Sequence, residues 1–312
     1  MQINSVTRQS GLLSALLLTF IIVATVASSA VRTNGDYSGS MTWFDTFATS
    51  MLLLSTGMVV GRMSVKSGIF RSFCTLPIPM FGIVACGAHL DSTTAGIAAA
   101  AFCLAVALLL FSESLLATGA KSPVFFGAIL LGGTVLLYPP CVVLVLLLPA
   151  AALISAQTPR QIIIAFTGWL LPIVAVSYVS WYAGNGIFDT ALGIVDSIVV
   201  PQPHADFVGL PVIPTAIFSI TGMLILAGIV LRQIDRATML ANLRKSLQML
   251  AITLVILLAA FALPGCTPAI IPVIAVPAAV LASATLERGR ADIATIIYWL
   301  LLLLSALNMF VD

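Results

Sequence analysis

Charge is what this chain has least of: 8% of its 312 residues are Asp, Glu, Lys or Arg, against about a quarter in a water-soluble domain. With 61% hydrophobic residues and a mean hydropathy of +1.17, a soluble globular fold is excluded. The formal net charge is only +2, which leaves no clustered basic face for nucleic acid. No G-x-x-x-x-G-K-[ST] occurs, so the chain lacks the P-loop route to ATP hydrolysis. The five cysteines, Cys74, Cys86, Cys103, Cys141 and Cys266, form no C-x-x-C and lie in or at the ends of apolar runs. There they act as small hydrophobes, and nothing in the sequence places Cys141 beside Cys266. The weak ten-residue alternation of a transmembrane β-barrel is also missing. In its place are unbroken apolar runs approaching twenty residues, as in residues 11–31 and 293–311. The fold class is therefore all-α, a polytopic transmembrane helical bundle forming a single integral-membrane domain over residues 1–312.

A hydrocarbon core about 30 Å thick needs roughly 17 to 25 helical residues per crossing. Cutting the chain at its polar breaks yields about eleven spans, near residues 11–31, 46–61, 73–90, 95–112, 122–138, 141–156, 162–182, 211–231, 248–264, 268–284 and 293–311. Two hairpins, 122–156 and 248–284, are short and broken at Tyr138-Pro139-Pro140 and Pro264-Gly265-Cys266-Thr267-Pro268. If they are re-entrant, the count drops to nine and nothing inverts. Orientation follows from Lys and Arg, which cytoplasmic loops retain. With the N-terminus cytoplasmic, every basic residue except Arg32 falls inside, and the odd span count puts the C-terminus in the periplasm. Arg8, an apolar stretch and Ala27-Ser28-Ser29-Ala30 have the order of a signal peptide, but the stretch is longer than a usual h-region and reads as the first span.

No ionisable residue falls near the centre of any span, which argues against a proton-driven pump. Such groups gather on the outer face instead. The first outer loop, from Arg32 to Asp45, places Asp36 and Asp45 with three aromatics at the membrane boundary. A carboxylate there can act as a general base or hold a cation on a lipid phosphate; a solvated turn with an aromatic belt is the plainer reading. In the longest outer loop, Phe188, Ala191, Leu192, Val195, Ile198 and Val199 recur at helical spacing and predict an interfacial helix near 184–200. Asp189 and Asp196, two turns apart, share its polar face. Beyond it, His204 and Asp206 give a weak metal or acid–base signal, and His89 with Asp91 closes the third span. Gly57-x-x-x-Gly61 permits close helix approach and reads as internal packing. Pro268, Pro272 and Pro277 mark the span most disposed to kink.

The stretch from Gly61 through Arg71 into Leu76-Pro77 carries a family resemblance. With it go Phe126-Gly127, Gly132-Gly133, Leu136-Leu137-Tyr138-Pro139-Pro140, Thr158-Pro159-Arg160-Gln161 and Gly168-Trp169-Leu170-Leu171-Pro172. Over roughly residues 60–190 these resemble an uncharacterised family of multi-pass inner-membrane proteins from Bacteroidetes. More distantly, the pattern is similar to GT-C-type integral-membrane glycosyltransferases, whose first outer loop carries the catalytic carboxylate. That likeness implies Asp36 or Asp45 as the matching catalytic position and a polyprenyl-phosphate-linked sugar as donor. The first outer loop here is shorter than in that class.

The expectation is then a protein of the bacterial inner membrane that handles a lipid-linked saccharide at the periplasmic face during envelope assembly. Asp36 and Asp45 would be catalytic. Arg32, His89, Asp91, Asp189, Asp196, His204 and Asp206 would bind substrate, with Arg32 meeting the lipid phosphate. No cofactor is required, although a divalent cation fits the scheme, and the metal ligands are unassigned. Partners are membrane lipid and the polyprenyl-linked sugar. The alternatives are a transporter or flippase whose path runs through the broken spans, and a scaffold subunit of an envelope complex.

Overall fold

The computed structural model describes residues 11–33, 43–66, 69–70, 74–87, 95–116, 122–155, 159–200, 211–234 and 241–308. Its regular structure among these residues is entirely helical: α1 (Gly11–Thr33), α2 (Trp43–Lys66), α3 (Pro77–Ala85), α4 (Ala95–Leu116), α5 (Ser122–Leu137), α6 (Leu147–Ser155), α7 (Pro159–Tyr182), α8 (Asp189–Val199), α9 (Val212–Ile234), α10 (Ala241–Ala259), α11 (Ile271–Arg288) and α12 (Ala291–Asn308). Short 3-10 stretches, Pro139–Leu146, Ala260–Ala262 and Pro268–Ile270, adjoin α6, α10 and α11. Seven helices are long and apolar enough to cross a membrane; Ser122–Leu137, Pro139–Ile154 and Asp292–Asn308 are apolar but shorter.

One expected span differs in kind. Within residues 73–90 the helix is only α3, nine residues, with every side chain buried. At 1.5 Å per residue that is about 13 Å, half a hydrocarbon core. Pro77 and Pro79 suit its first turn, where no intrahelical N–H partner is needed.

Burial sorts the helices into core and perimeter. The window Pro268–Arg288 is 94% buried and Arg160–Tyr182 only 11%, so α11 is the axis of the bundle and α7 its lipid-facing wall. Lipid is as apolar as a side chain, so helices here associate through close packing of small residues. α11 supplies Ala275, Ala278, Ala279, Ala282 and Ser283, all buried. The same device recurs elsewhere. A Cβ on Gly228 of α9 would fall on Thr285, one on Gly132 of α5 on the Trp169 carbonyl, and one on Gly61 of α2 on Ile78 of α3. Gly57 likewise faces Leu18 and Phe81, so the Gly57/Gly61 pair packs internally as read from the sequence.

Contacts between helix ends define two faces. Lys66, ending α2, pairs with Glu113 in the last turns of α4. Ser14 of α1 hydrogen-bonds Thr75 at 2.7 Å just before α3. α5 returns antiparallel to α4, with Gly127 against Ala107 and Phe111, and so delivers Tyr138 to the end opposite Glu113. The first turn of α2, with Asp45, lies on that same opposite face.

Two stretches share a plan. α5, opening at Ser122, and α10, opening at Ala241, each run to a proline break, and Pro139 and Pro268 each start a 3-10 turn. Pro149-Ala150-Ala151-Ala152-Leu153-Ile154-Ser155-Ala156 then matches Pro277-Ala278-Ala279-Val280-Leu281-Ala282-Ser283-Ala284. Arg160 and Arg290 follow, and Trp169-Leu170-Leu171 corresponds to Trp299-Leu300-Leu301. α5 to α7 and α10 to α12 thus each run as a helix, a proline break with a 3-10 turn, a returning helix and a third helix.

Candidate functional site

The two proline breaks meet. Pro139 and Pro268 cannot continue a helix ladder, so each chain reverses through irregular backbone whose polar groups need partners. Tyr138 provides them: its hydroxyl accepts the Thr267 amide N–H at 3.1 Å and lies 3.1 Å from the Thr267 hydroxyl. Burial raises the Cys266 thiol, so it is held as the neutral, unreactive form.

The interfacial helix joins this junction. α7 ends in a Schellman turn: Gly184, at φ +94°, donates to the Trp181 carbonyl and Asn185 to the Ser180 carbonyl. The chain then folds back, and α8 forms over 189–199 inside the expected 184–200. Its far end is fixed by the Gly265 N–H donating to the Ile198 carbonyl at 3.0 Å. A Cβ at Gly265 would strike the Ser197 carbonyl, which is why glycine stands in that break. α8 buries none of its residues; Phe188, Leu192, Val195 and Val199 are exposed beside Tyr178, Trp181 and Tyr182 of α7. Apolar side chains and Trp/Tyr edges displayed together are what a membrane–water interface accommodates.

The sequence-predicted residues fare differently. Asp189 is engaged locally, its carboxylate accepting the Gly186 N–H at 2.6 Å across the turn that leads into α8. Asp196 is exposed on the same helix, and Asp45 occupies the first turn of α2, where a helix N-terminus favours negative charge. α8 packs on α7 and the 139–146 stretch, α2 on α1, α3 and α4, so Asp45 and the α8 acids share a face but not a set of neighbours. Arg32 lies in the last turn of α1. Asp36, His89, Asp91, His204 and Asp206 lie outside the described residues. Among the described residues no group of three His, Cys, Asp or Glu is arranged to hold a metal.

A second polar centre had no single sequence motif to announce it. The helix α3 ends at Cys86-Gly87, and the Asn308 side chain of α12 donates to the Cys86 and Gly87 carbonyls at 3.4 and 3.3 Å. On the opposite side of the bundle, a crevice of about 10 Å³ lined by Phe111, Leu115, Leu148, Gln161 and Met249 has room for about one water. No family model matches this chain, and neither a curated protein nor a solved structure does.

Proposed function

We propose that this chain is a multi-pass protein of a bacterial inner membrane that acts on a lipid-linked saccharide at the face carrying α8, as a GT-C-like transferase using a polyprenyl-phosphate-linked sugar. In this reading the chain crosses eleven times, with a cytoplasmic N-terminus, a periplasmic C-terminus and α8 in the outer leaflet boundary. The observation that carries it is the make-up of that face. A lipid-facing wall of aromatics on α7 runs into an interfacial helix, which is tied to two helix breaks on the side where α2 begins, with Asp45 in its first turn. A substrate with a polyprenyl tail arrives laterally through the bilayer, so tail and head group need adjoining apolar and polar surfaces. Asp45 and Asp36 are the candidate bases or cation ligands, and Arg32 the partner of the lipid phosphate.

A second reading, a flippase or small-molecule transporter, is favoured by one feature: the half-length α3 and the paired breaks put irregular backbone inside the bundle, where transport paths are lined. The two are separated by mass spectrometry of polyprenyl-linked saccharides in a deletion strain complemented with wild type, Asp36→Asn or Asp45→Asn at equal expression. A precursor cleared by wild type but not by one amide variant supports transfer chemistry. A lipid-linked pool that the deletion leaves unchanged removes it.

A further inference from the structure

A 3-10 helix has poorer hydrogen-bond geometry than an α-helix, so runs beyond about four residues are uncommon, and one that interrupts a helix often marks a hinge. Pro139–Leu146 is such a run of eight residues, and it leads directly into α6. It opens with the Cys141 N–H donating to the Tyr138 carbonyl at 3.0 Å. Burial follows the threefold repeat: Tyr138, Cys141, Leu144 and Leu147 form one buried column. Beyond it the buried positions, Leu148 and Ala152, take the wider spacing of an α-helix.

The sequence balances this winding against the ordinary one. Because α6 starts at Leu147, Pro149 lies in its first turn, where no intrahelical N–H is needed. Were the α winding to extend back to Pro139, Pro149 would become interior, unable to bond the Val145 carbonyl and pressing its ring toward it. That favours the 3-10 form. In the other direction, every residue from Cys141 to Leu148 is Cys, Val or Leu, so turning the stretch exchanges one apolar side chain for another. Neighbouring helices also make proline tolerable inside a membrane helix.

The two ends of the stretch are held differently. At the outer end, Tyr138 is bonded to Thr267, and the adjoining Gly265 to Ile198 of α8. At the other end α6 is only nine residues long and presents Ala151 and Ala152 to the crevice it shares with Phe111, Gln161 and Met249. Small side chains beside open space let packed helices slide.

We propose that residues 139–146 rewind between 3-10 and α-helix, a conformational device that draws α6 about 4 Å toward the face carrying α8. The length follows from a rise of about 2.0 Å per residue in the one form and about 1.5 Å in the other. α8 packs on the rewinding stretch, and the crevice beside α6 lies on the opposite side of the bundle, so the device links the two faces. This inference stands apart from the saccharide reading, because it needs no outer carboxylate to be catalytic.

The test is a nitroxide–nitroxide distance measurement on the full chain in lipid nanodiscs, with labels at Leu153→Cys of α6 and Val199→Cys of α8. Both positions are exposed; Cys103 is replaced by Ser, and the other four cysteines are buried. The labelled parent is expected to show a major distance and a minor one about 4 Å shorter. Pro149→Ala removes the ring from the interior of the α form and makes the shorter distance the major one. Val142→Ala with Val145→Ala exchanges β-branched residues for the best helix former and moves the populations the same way, which gives a second reading if Pro149→Ala folds poorly. A single distance in the parent, or populations left unchanged by either folded variant, would overturn the proposal.

Discussion

The Tyr138 hydroxyl and the Thr267 backbone, 129 residues apart, are 3.1 Å from one another, and through this contact one side chain ties the two proline breaks of the bundle together. The hydroxyl serves both the Thr267 N–H and the Thr267 side chain, in a place with little water to take over. Tyr138→Phe therefore leaves a half-buried amide without its partner and costs about 1 kcal/mol, read as a lower melting temperature in detergent.

Adjacent glycines on α5 separate packing from tolerance. A side chain at Gly132 runs into the Trp169 carbonyl and the Pro172 ring, whereas one at Gly133 meets nothing within 4 Å. Gly132→Leu should prise α5 from α7 and cost several times the ~1–3 kcal/mol of ordinary overpacking, reducing folded yield, while Gly133→Leu folds at wild-type level. Equal behaviour of the two would mean that α5 and α7 are not packed through this face.

Much of this fold is legible in the residues, for a reason specific to membranes: apolar length alone marks a crossing helix, and the backbone has few alternatives to helix there. α1, α4, α7, α9 and α12 accordingly begin and end within a few residues of the spans read from hydropathy. α8 was legible because its apolar residues keep helical spacing in an otherwise polar loop. What hydropathy could not show is length inside an apolar run. Residues 73–90 are continuous in composition, yet α3 occupies nine of them, and its last carbonyls are met by Asn308 more than two hundred residues away. The contact of Asn308 with the end of α3 was hidden for the same reason: a lone amide near the end of an apolar run is unremarkable until tertiary register sets it against Cys86 and Gly87. Asp189 shows a local contact that was equally invisible to hydropathy: its carboxylate bonds within its own turn, to Gly186 three residues before it.

That contact sets a specific expectation for Asp189. Its carboxylate holds the Gly186 N–H at the reversal between α7 and α8, so Asp189→Ala should cost about 1 kcal/mol and loosen α8. Asp189→Asn retains an acceptor oxygen and should be close to neutral. Hydrogen exchange over residues 184–200 checks this: faster exchange in the Ala variant and near-wild-type exchange in the Asn variant are expected. Loss of activity in Asp189→Asn with unchanged exchange would instead return the carboxylate to a role in substrate binding.

Orientation is the remaining expectation open to direct measurement. Helix-end contacts require that Lys66 and Glu113 share one face and Tyr138 the other, but they are silent on which face is cytoplasmic. The charge distribution supplies the expectation, because Lys66, Arg160 and the Arg244-Lys245 pair all attach to the face opposite α8, and basic residues are retained on the cytoplasmic side. A reporter fused after Arg160 should therefore read cytoplasmic and one after Pro203 periplasmic. The same side at both positions would mean that α7, the most exposed of the long helices, lies along the bundle without crossing. Reversal at both would move α8 and its aromatic neighbours to the cytoplasmic leaflet, where a periplasmic lipid-linked sugar never presents its head group, and the saccharide reading would fall with the topology.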